Sequence, residues 1–202
     1  MKCFIGIDAG TSGIKVVVFD ALGRVCGTGY HECDVITPRP GWVEQDPREL
    51  WHACSAAVKM AIGSVGAEIE VGGIGFSGQM QGCLLVDRNL EPIGNCIIWL
   101  DQRSSAQVDE ICGLIADDDA LRLTSNHCLN SFWAPKLLWI RENRPEDYER
   151  AYKVMFVKDY LRLCMTGEVA TEVSDASLSF MLDVGARKWS YPVFDRLGID
   201  RS

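Results

Sequence analysis

Residues 5–20, Ile-Gly-Ile-Asp-Ala-Gly-Thr-Ser-Gly-Ile-Lys-Val-Val-Val-Phe-Asp, run from an apolar strand through an Asp and a small-residue turn into a second apolar strand. β-branched residues on both flanks suit a pleated, half-buried backbone. Asp8 stands where the first strand should end, and Gly10, Thr11, Ser12 and Gly13 form the turn. Glycine allows close approach of the main chain and left-handed angles, so the amides and hydroxyls of such a turn can face an anion. The Walker pattern Gly-x-x-x-x-Gly-Lys-Ser/Thr is absent, and a Val-rich strand follows where a Walker helix would have to begin. An ordinary tight turn between two core strands explains the same residues, because Gly and Ser are what turns use. The hairpin alone leaves both readings open.

Working outward, the first 30 residues read as three strands, roughly 3–8, 14–20 and 24–30, with Asp20-Ala-Leu-Gly23 as the second turn of an antiparallel meander. Residues 31–45 are polar and Pro-rich and predict an irregular surface connection. Asp46-Pro47-Arg48-Glu49 then reads as a helix N-cap, a Pro at the first position and an acid in the first turn. Leu50, Cys54, Ala57, Val58, Ala61 and Ile62 recur at helical spacing and predict one face buried against the sheet. Val71–Phe76, Gly82–Asp87 and Ile93–Trp99 read as strands, the first parallel to strand one in a βββαβ order. From 104 to 165 the chain reads as mostly helical, with helices at 104–116, 118–124, 134–143 and 158–165 and a strand-like segment at Tyr152–Val157. Without a recognisable linker, the expectation is one α/β domain with a mixed central sheet and a helical insertion in its second half. Asp195-Arg-Leu-Gly-Ile-Asp200 reads as the start of a connecting segment.

The chain has 202 residues, 48% hydrophobic and 24% charged, which is ordinary globular composition. A net charge of −8 without a run of Lys and Arg argues against a nucleic-acid surface or an anionic-membrane surface. Nine cysteines lie singly, with no Cys-x-x-Cys pair and only three His, so reduced structural thiols in a cytoplasmic protein are expected rather than a disulfide framework or a zinc site. The start of the chain is too short an apolar run for a signal sequence, and no window approaches the ~18 apolar residues of a membrane span.

Several polar clusters sit where strands end, the usual place for sites in α/β folds. Trp99-Leu-Asp-Gln-Arg103 offers an aromatic face, a carboxylate and a guanidinium, a set that suits a polyol; a surface Asp101–Arg103 pair is the plainer alternative. Ser77-Gly-Gln-Met-Gln-Gly82 places two amides and a Met in one loop. Gly41-Trp-Val-Glu-Gln-Asp-Pro47 reads as mainly structural. In Thr171-Glu-Val-Ser-Asp-Ala-Ser177, Asp175 either caps a helix or reaches a ligand hydroxyl, and His127 and Trp133 are candidates for a pocket wall.

Taken together, Gly6-Ile-Asp-Ala-Gly-Thr-Ser-Gly-Ile-Lys15, Gly41–Pro47, Phe76-Ser-Gly-Gln-Met80, Trp99–Arg103, Lys136-Leu-Leu-Trp139, Asp159-Tyr-Leu161, Thr166-Gly167 and Ser174-Asp-Ala-Ser177 resemble the FGGY carbohydrate kinases, nearest the xylulose kinase branch. The resemblance covers nearly the whole chain and implies an actin-like ATPase, ribonuclease-H-like fold in which ATP and sugar meet between two domains. It implies that residues 1–202 form most of the N-terminal domain, with the amides of Gly10–Gly13 binding ATP phosphates, Thr11, Ser12 and Lys15 assisting, and Asp8 holding Mg²⁺, which positions and neutralises phosphate. Gln79, Met80, Gln81, Trp99, Asp101, Arg103 and Asp175 would line the sugar pocket. A homodimer is compatible with that reading.

Two departures stand out. The xylulose kinase pattern has His after Gln-Met, whereas Gln81 stands here, so the acceptor stays open among ketopentoses and polyols. Family members also run to roughly twice this length, which places the general base and the adenine-binding C-terminal domain beyond residue 202 and predicts no kinase turnover from these residues alone. Two rival expectations are a catalytically degenerate sugar-binding or regulatory module, and a ribonuclease-H-like nuclease using Asp8 for metal.

Overall fold

β1 (Lys2–Ala9) and β2 (Gly13–Asp20) form the antiparallel hairpin that residues 5–20 predict, in a computed structural model that describes residues 1–200. β3 (Val25–Glu32) continues the meander, and after the two-residue β4 (Glu44–Gln45) helix α1 (Pro47–Gly63) crosses to β5 (Glu70–Gly78), which runs parallel to β1. The resulting sheet has the order β3-β2-β1-β5. Its mixed pairing and βββαβ order are those expected.

The buried face follows from period-two alternation: Cys3, Ile5, Ile7 and Ala9 of β1 and Ile14, Val16 and Val18 of β2 are all within 3% of full burial. Against β2 and β3 α1 turns Leu50, Ala53, Cys54, Ala57 and Ala61. Asp46 caps that helix, accepting from the Arg48 amide at 2.8 Å. Gly27 and Gly29 let α1 lie on β3, since a methyl at Gly29 would collide with the Ala57 carbonyl oxygen.

The second half holds β6 (Cys83–Val86), β7 (Pro92–Ile97), α2 (Ser105–Leu114), α3 (Asp117–Thr124), α4 (Trp133–Asn143), α5 (Pro145–Arg150), β8 (Lys153–Met155) and α6 (Val157–Thr166). It continues through α7 (Val173–Ala176), the hairpin of β9 (Leu182–Asp183) with β10 (Lys188–Trp189), and α8 (Tyr191–Leu197). A second sheet has the order β4-β7-β6-β8. Its core gathers Leu85, Ile97, Ile111, Phe132, Leu138, Phe156 and Phe180, with Trp133 stacked on Phe156 at 3.7 Å.

Where one domain with an insertion was expected, the described chain divides into two compact units. The first comprises Met1–Ile36, Gln45–Gln79 and Val157–Val169; the second comprises Thr37–Glu44, Met80–Phe156 and the chain from Ala170 onward. The chain passes between them repeatedly without a Pro/Gly linker, so composition could not mark the boundaries. Three local expectations also change. Glu44 and Gln45, read as part of an irregular surface connection, are 3% and 1% exposed and form β4. In the segment 195–200, read as a connector, residues 195–197 are the end of α8, closed by Gly198 in the left-handed conformation with φ 60°. The helix at 173–176 is capped by Glu172, whose carboxylate accepts from the Ser174 and Asp175 amides, and not by Asp175. Among the described residues, no helix is long and apolar enough to cross a membrane.

Candidate active site

In the first unit the site is built on the β1–β2 turn. Register places Lys15 directly across from Asp8 on one side and Ser77 of β5 on the other, and all three side chains are exposed. Among the described residues neither Asp8 nor Lys15 is in an ion pair, so a carboxylate and an ammonium stand available beside the turn.

The turn itself is held from behind. Gln45 Nε2 donates to the Thr11 carbonyl at 2.9 Å, while the Cys33 amide and the Tyr30 hydroxyl donate to the Ser12 carbonyl, each at 3.1 Å. A trans peptide sets its C=O and the following N–H on opposite sides, and no cis bond occurs among the described residues, so the Ser12 and Gly13 N–H groups face away from those partners. Gly13 cannot be larger: a methyl there would stand 2.5 Å from the Tyr30 hydroxyl and 2.6 Å from the His31 carbonyl oxygen. Gln79, expected at the sugar, is 8% exposed; its Nε2 donates to Gln45 Oε1 at 2.5 Å and its Oε1 accepts from Thr11 at 3.3 Å. It braces the turn through Gln45.

In the second unit the loop after Gln79 and the chain after β7 carry the other predicted residues. Met80 is 54% and Trp99 43% exposed, so both present apolar surface to solvent. Gln81 is half-buried in the left-handed conformation, with φ 67°. Asp101 and Arg103, in contrast, do not offer themselves to a ligand. Arg103 Nε and Nη2 donate to both Asp101 oxygens at 2.7–3.0 Å, Nη2 also meets Glu44 at 2.7 Å, and all three side chains are essentially fully buried. The Arg103 guanidinium lies 4.1 Å from the Trp42 ring and 5.0 Å from that of Trp139, a cation–π pairing on both. Asp101 Oδ2 further accepts from the Val43 amide at 2.6 Å. Neither a surface pair nor a pocket wall, this cluster fixes the Trp99–Arg103 turn against residues 42–44.

Asp175 is 3% exposed within α7, Trp133 belongs to the core, and His127 pairs with Asp117 at 2.6 Å on the surface. Sequence reasoning missed Tyr30 and Gln45 behind the turn and Glu44 in the ion cluster. It also gave Lys136 no role, although the residue is fully buried with its ammonium on three backbone carbonyls. A Lys among Trp133, Leu137 and Leu138 was the available signal. A cleft of about 610 Å³ opens between α7 and the β9–β10 hairpin, walled by Val173, Leu182, Trp189 and Tyr191, and contains none of the predicted phosphate or sugar residues.

Comparison with known proteins places this geometry. The family model for the FGGY family of carbohydrate kinases, N-terminal domain, matches residues 3–202. The xylulose kinase of Lactococcus lactis is 37% identical over 206 residues, covering 100% of this chain and 40% of the relative; that of Klebsiella pneumoniae is 39% identical over 189 residues, covering 93% and 38%. A crystal structure of a xylulose kinase from Brucella ovis superposes with a TM-score of 0.89 at 37% identity, over 98% of this chain and 41% of that one. The chain therefore spans about two fifths of the length of the relatives it matches.

Proposed function

Because the chain belongs to the FGGY family of carbohydrate kinases, through its N-terminal domain, we propose that it supplies the phosphate-binding turn and sugar-recognition loops of an ATP-dependent sugar kinase. The acceptor in this reading is a ketopentose such as xylulose, or a related sugar or polyol. The observation that carries it is the Gly10–Gly13 turn, whose Thr11 and Ser12 carbonyls are drawn back by Gln45, Cys33 and Tyr30 beside the exposed Asp8 and Lys15.

Backbone N–H groups of a glycine turn suit the oxygens of a nucleotide's phosphates, with the Thr11 and Ser12 hydroxyls and Lys15 adding donors. One carboxylate fits Mg²⁺, which keeps several waters and takes its remaining ligands from phosphate; Asp8 is that carboxylate. Bound there, the ion would neutralise charge developing on the transferred phosphoryl group. On the acceptor side, Met80 and Trp99 give apolar faces for sugar C–H groups, and Gln81 gives a polar contact to hydroxyls. Gln79 steadies the phosphate turn, and the buried Asp101–Arg103–Glu44 cluster fixes the turn that follows Trp99.

In the transfer, a sugar hydroxyl oxygen attacks the γ-phosphorus, ADP leaves, and the hydroxyl proton passes to a general base. We assign that base and the adenine pocket to sequence outside these residues, in the C-terminal part that relatives of greater length carry, and expect no turnover from residues 1–202 alone. The nine free cysteines suit a reducing compartment such as the cytoplasm. The test is ADP release by the longer protein against ketopentoses, aldoses and polyols. Stimulation by one sugar class, abolished in Asp8→Ala, is expected; no stimulation by any sugar would mark a degenerate binding module instead.

A further inference from the structure

We infer that Lys136 is a positioning residue for sugar recognition, its ammonium clamping the backbone of the Met80–Gly82 loop to the end of β7 that presents Trp99. The inference rests on the sugar reading of Met80, Gln81 and Trp99, and goes beyond it by naming what holds them.

Lys136 is the fourth residue of α4 and is fully buried. Its Nζ donates to the carbonyls of Gln81 at 2.7 Å, Ser131 at 2.7 Å and Ile97 at 3.3 Å, which uses all three ammonium protons. One helical turn earlier, Trp133 Nε1 donates to the Gly82 carbonyl at 2.7 Å. Two side chains on the same face of α4 therefore seize consecutive carbonyls of the loop, while the Ile97 bond reaches the strand end two residues before Trp99.

The loop needs such a hold. Gln81 carries a side chain at φ 67°, a strained conformation for a non-Gly residue that persists only where surroundings enforce it. Packing alone does not explain the choice of residue. An ammonium in the first turn of a helix opposes the macrodipole, and a buried charge carries a desolvation penalty that a Met or Leu would avoid. Among the described residues no carboxylate forms an ion pair with Lys136; carbonyl dipoles alone surround its charge at bonding distance. The other ionisable groups facing it are Cys83 of β6, Cys96 of β7, Asp101 and Arg103. Burial pushes its pKa down to about 8, with Cys83, Cys96 and Asp101 pulling in the opposite sense. A group held at such expense beneath an exposed recognition loop has a task there.

The test uses the 202-residue chain, with NMR of backbone amides and Trp indoles during titration with D-xylulose and, separately, with Mg–ATP. In Lys136→Met, amide exchange at Gln81 and Gly82 is expected to accelerate at least tenfold, and the D-xylulose shifts at Gln81 and the Trp99 indole to weaken by a similar factor. Mg–ATP shifts at Gly10–Gly13 should stay as in the parent, which a general loss of fold would not allow. Unchanged exchange at Gln81 and Gly82, or an unchanged D-xylulose response, overturns the positioning role. A parent chain whose Gln81 and Trp99 ignore D-xylulose overturns the sugar reading instead, and the exchange rates still decide on the clamp. Should Lys136→Met fail to fold, the parent decides by itself: the Gln81 and Gly82 amides should exchange at least tenfold more slowly than amides of exposed loops, as a loop held by Lys136 and Trp133 requires. Exchange at the exposed-loop rate overturns the clamp.

Discussion

The turn between β1 and β2 and the loop between β5 and β6 are both short, glycine-containing connections at strand ends, yet they are made rigid in different ways. The turn takes its shape from backbone and neutral groups: Gly13 fits under Tyr30, Gln45, Cys33 and Tyr30 fix the carbonyls of Thr11 and Ser12, and Gln79 holds Gln45. The loop and the neighbouring Trp99 turn lean on buried charge, Lys136 on three carbonyls and Arg103 between Asp101, Glu44 and two indoles. A backbone-built site tolerates changes in pH and charge around it. A charge-built one ties recognition to the ionisation and burial of a few side chains.

That contrast can be broken most forcefully at Arg103. Arg103→Met leaves Asp101 buried without its cation and Glu44 with only Arg144 at 3.5 Å, and should lower unfolding stability by about 3–5 kcal/mol. Lys15→Met, removing the exposed cation beside the turn, should stay within about 0.5 kcal/mol. Urea unfolding followed by Trp fluorescence checks both, and equal effects would erase the distinction.

A step smaller, on the proposed role of Asp8, Asp8→Asn in the longer protein should lower kcat about 100-fold while leaving stability within about 0.5 kcal/mol, because the carboxylate is exposed. Steady-state ADP release and a thermal melt read the two numbers. Gly13→Ala then tests the close fit of the turn. Overpacking against Tyr30 and the His31 carbonyl should cost about 1–3 kcal/mol and weaken Mg–ATP binding, with D-xylulose binding unchanged.

The mildest effect is a pH slope that belongs to the charge-built region. Burial raises Cys83 to about 12 from its unfolded value of 9.0, so above pH 9 the unfolded chain loses a proton that the folded chain keeps. The stability present below pH 9 is therefore lost as pH rises towards 12. Lys136 works in the other direction between about 8 and 10.5, because there the folded chain binds fewer protons than the unfolded one. Unfolding curves between pH 8 and pH 11 should be less steeply pH-dependent in Cys83→Ala, and flatter below pH 9 in Lys136→Met.

The same contrast explains what could be read from the sequence. Asp8, the Gly10–Gly13 turn and the βββαβ order were legible because strand alternation, turn chemistry and an Asp–Pro cap are local signals. The α2, α3, α4 and α6 helices were legible within a few residues for the same reason. Glu44 and Gln45 were not, since their burial depends on partners 34–59 positions away, namely Gln79 and Arg103. Asp101 and Arg103 looked like ligand contacts because composition cannot tell a carboxylate aimed outward from one closed on its own neighbour. The β9–β10 hairpin and α5 were too short to leave a period.

The most direct measurement is an amide NMR titration of residues 1–202 with Mg–ATP at millimolar concentration. Shifts concentrated at Gly10–Gly13, and lost in Asp8→Asn, are the expected result. Shifts that spare the turn, or that gather instead at the cleft around Trp189, would contradict the assignment of this turn as the phosphate site.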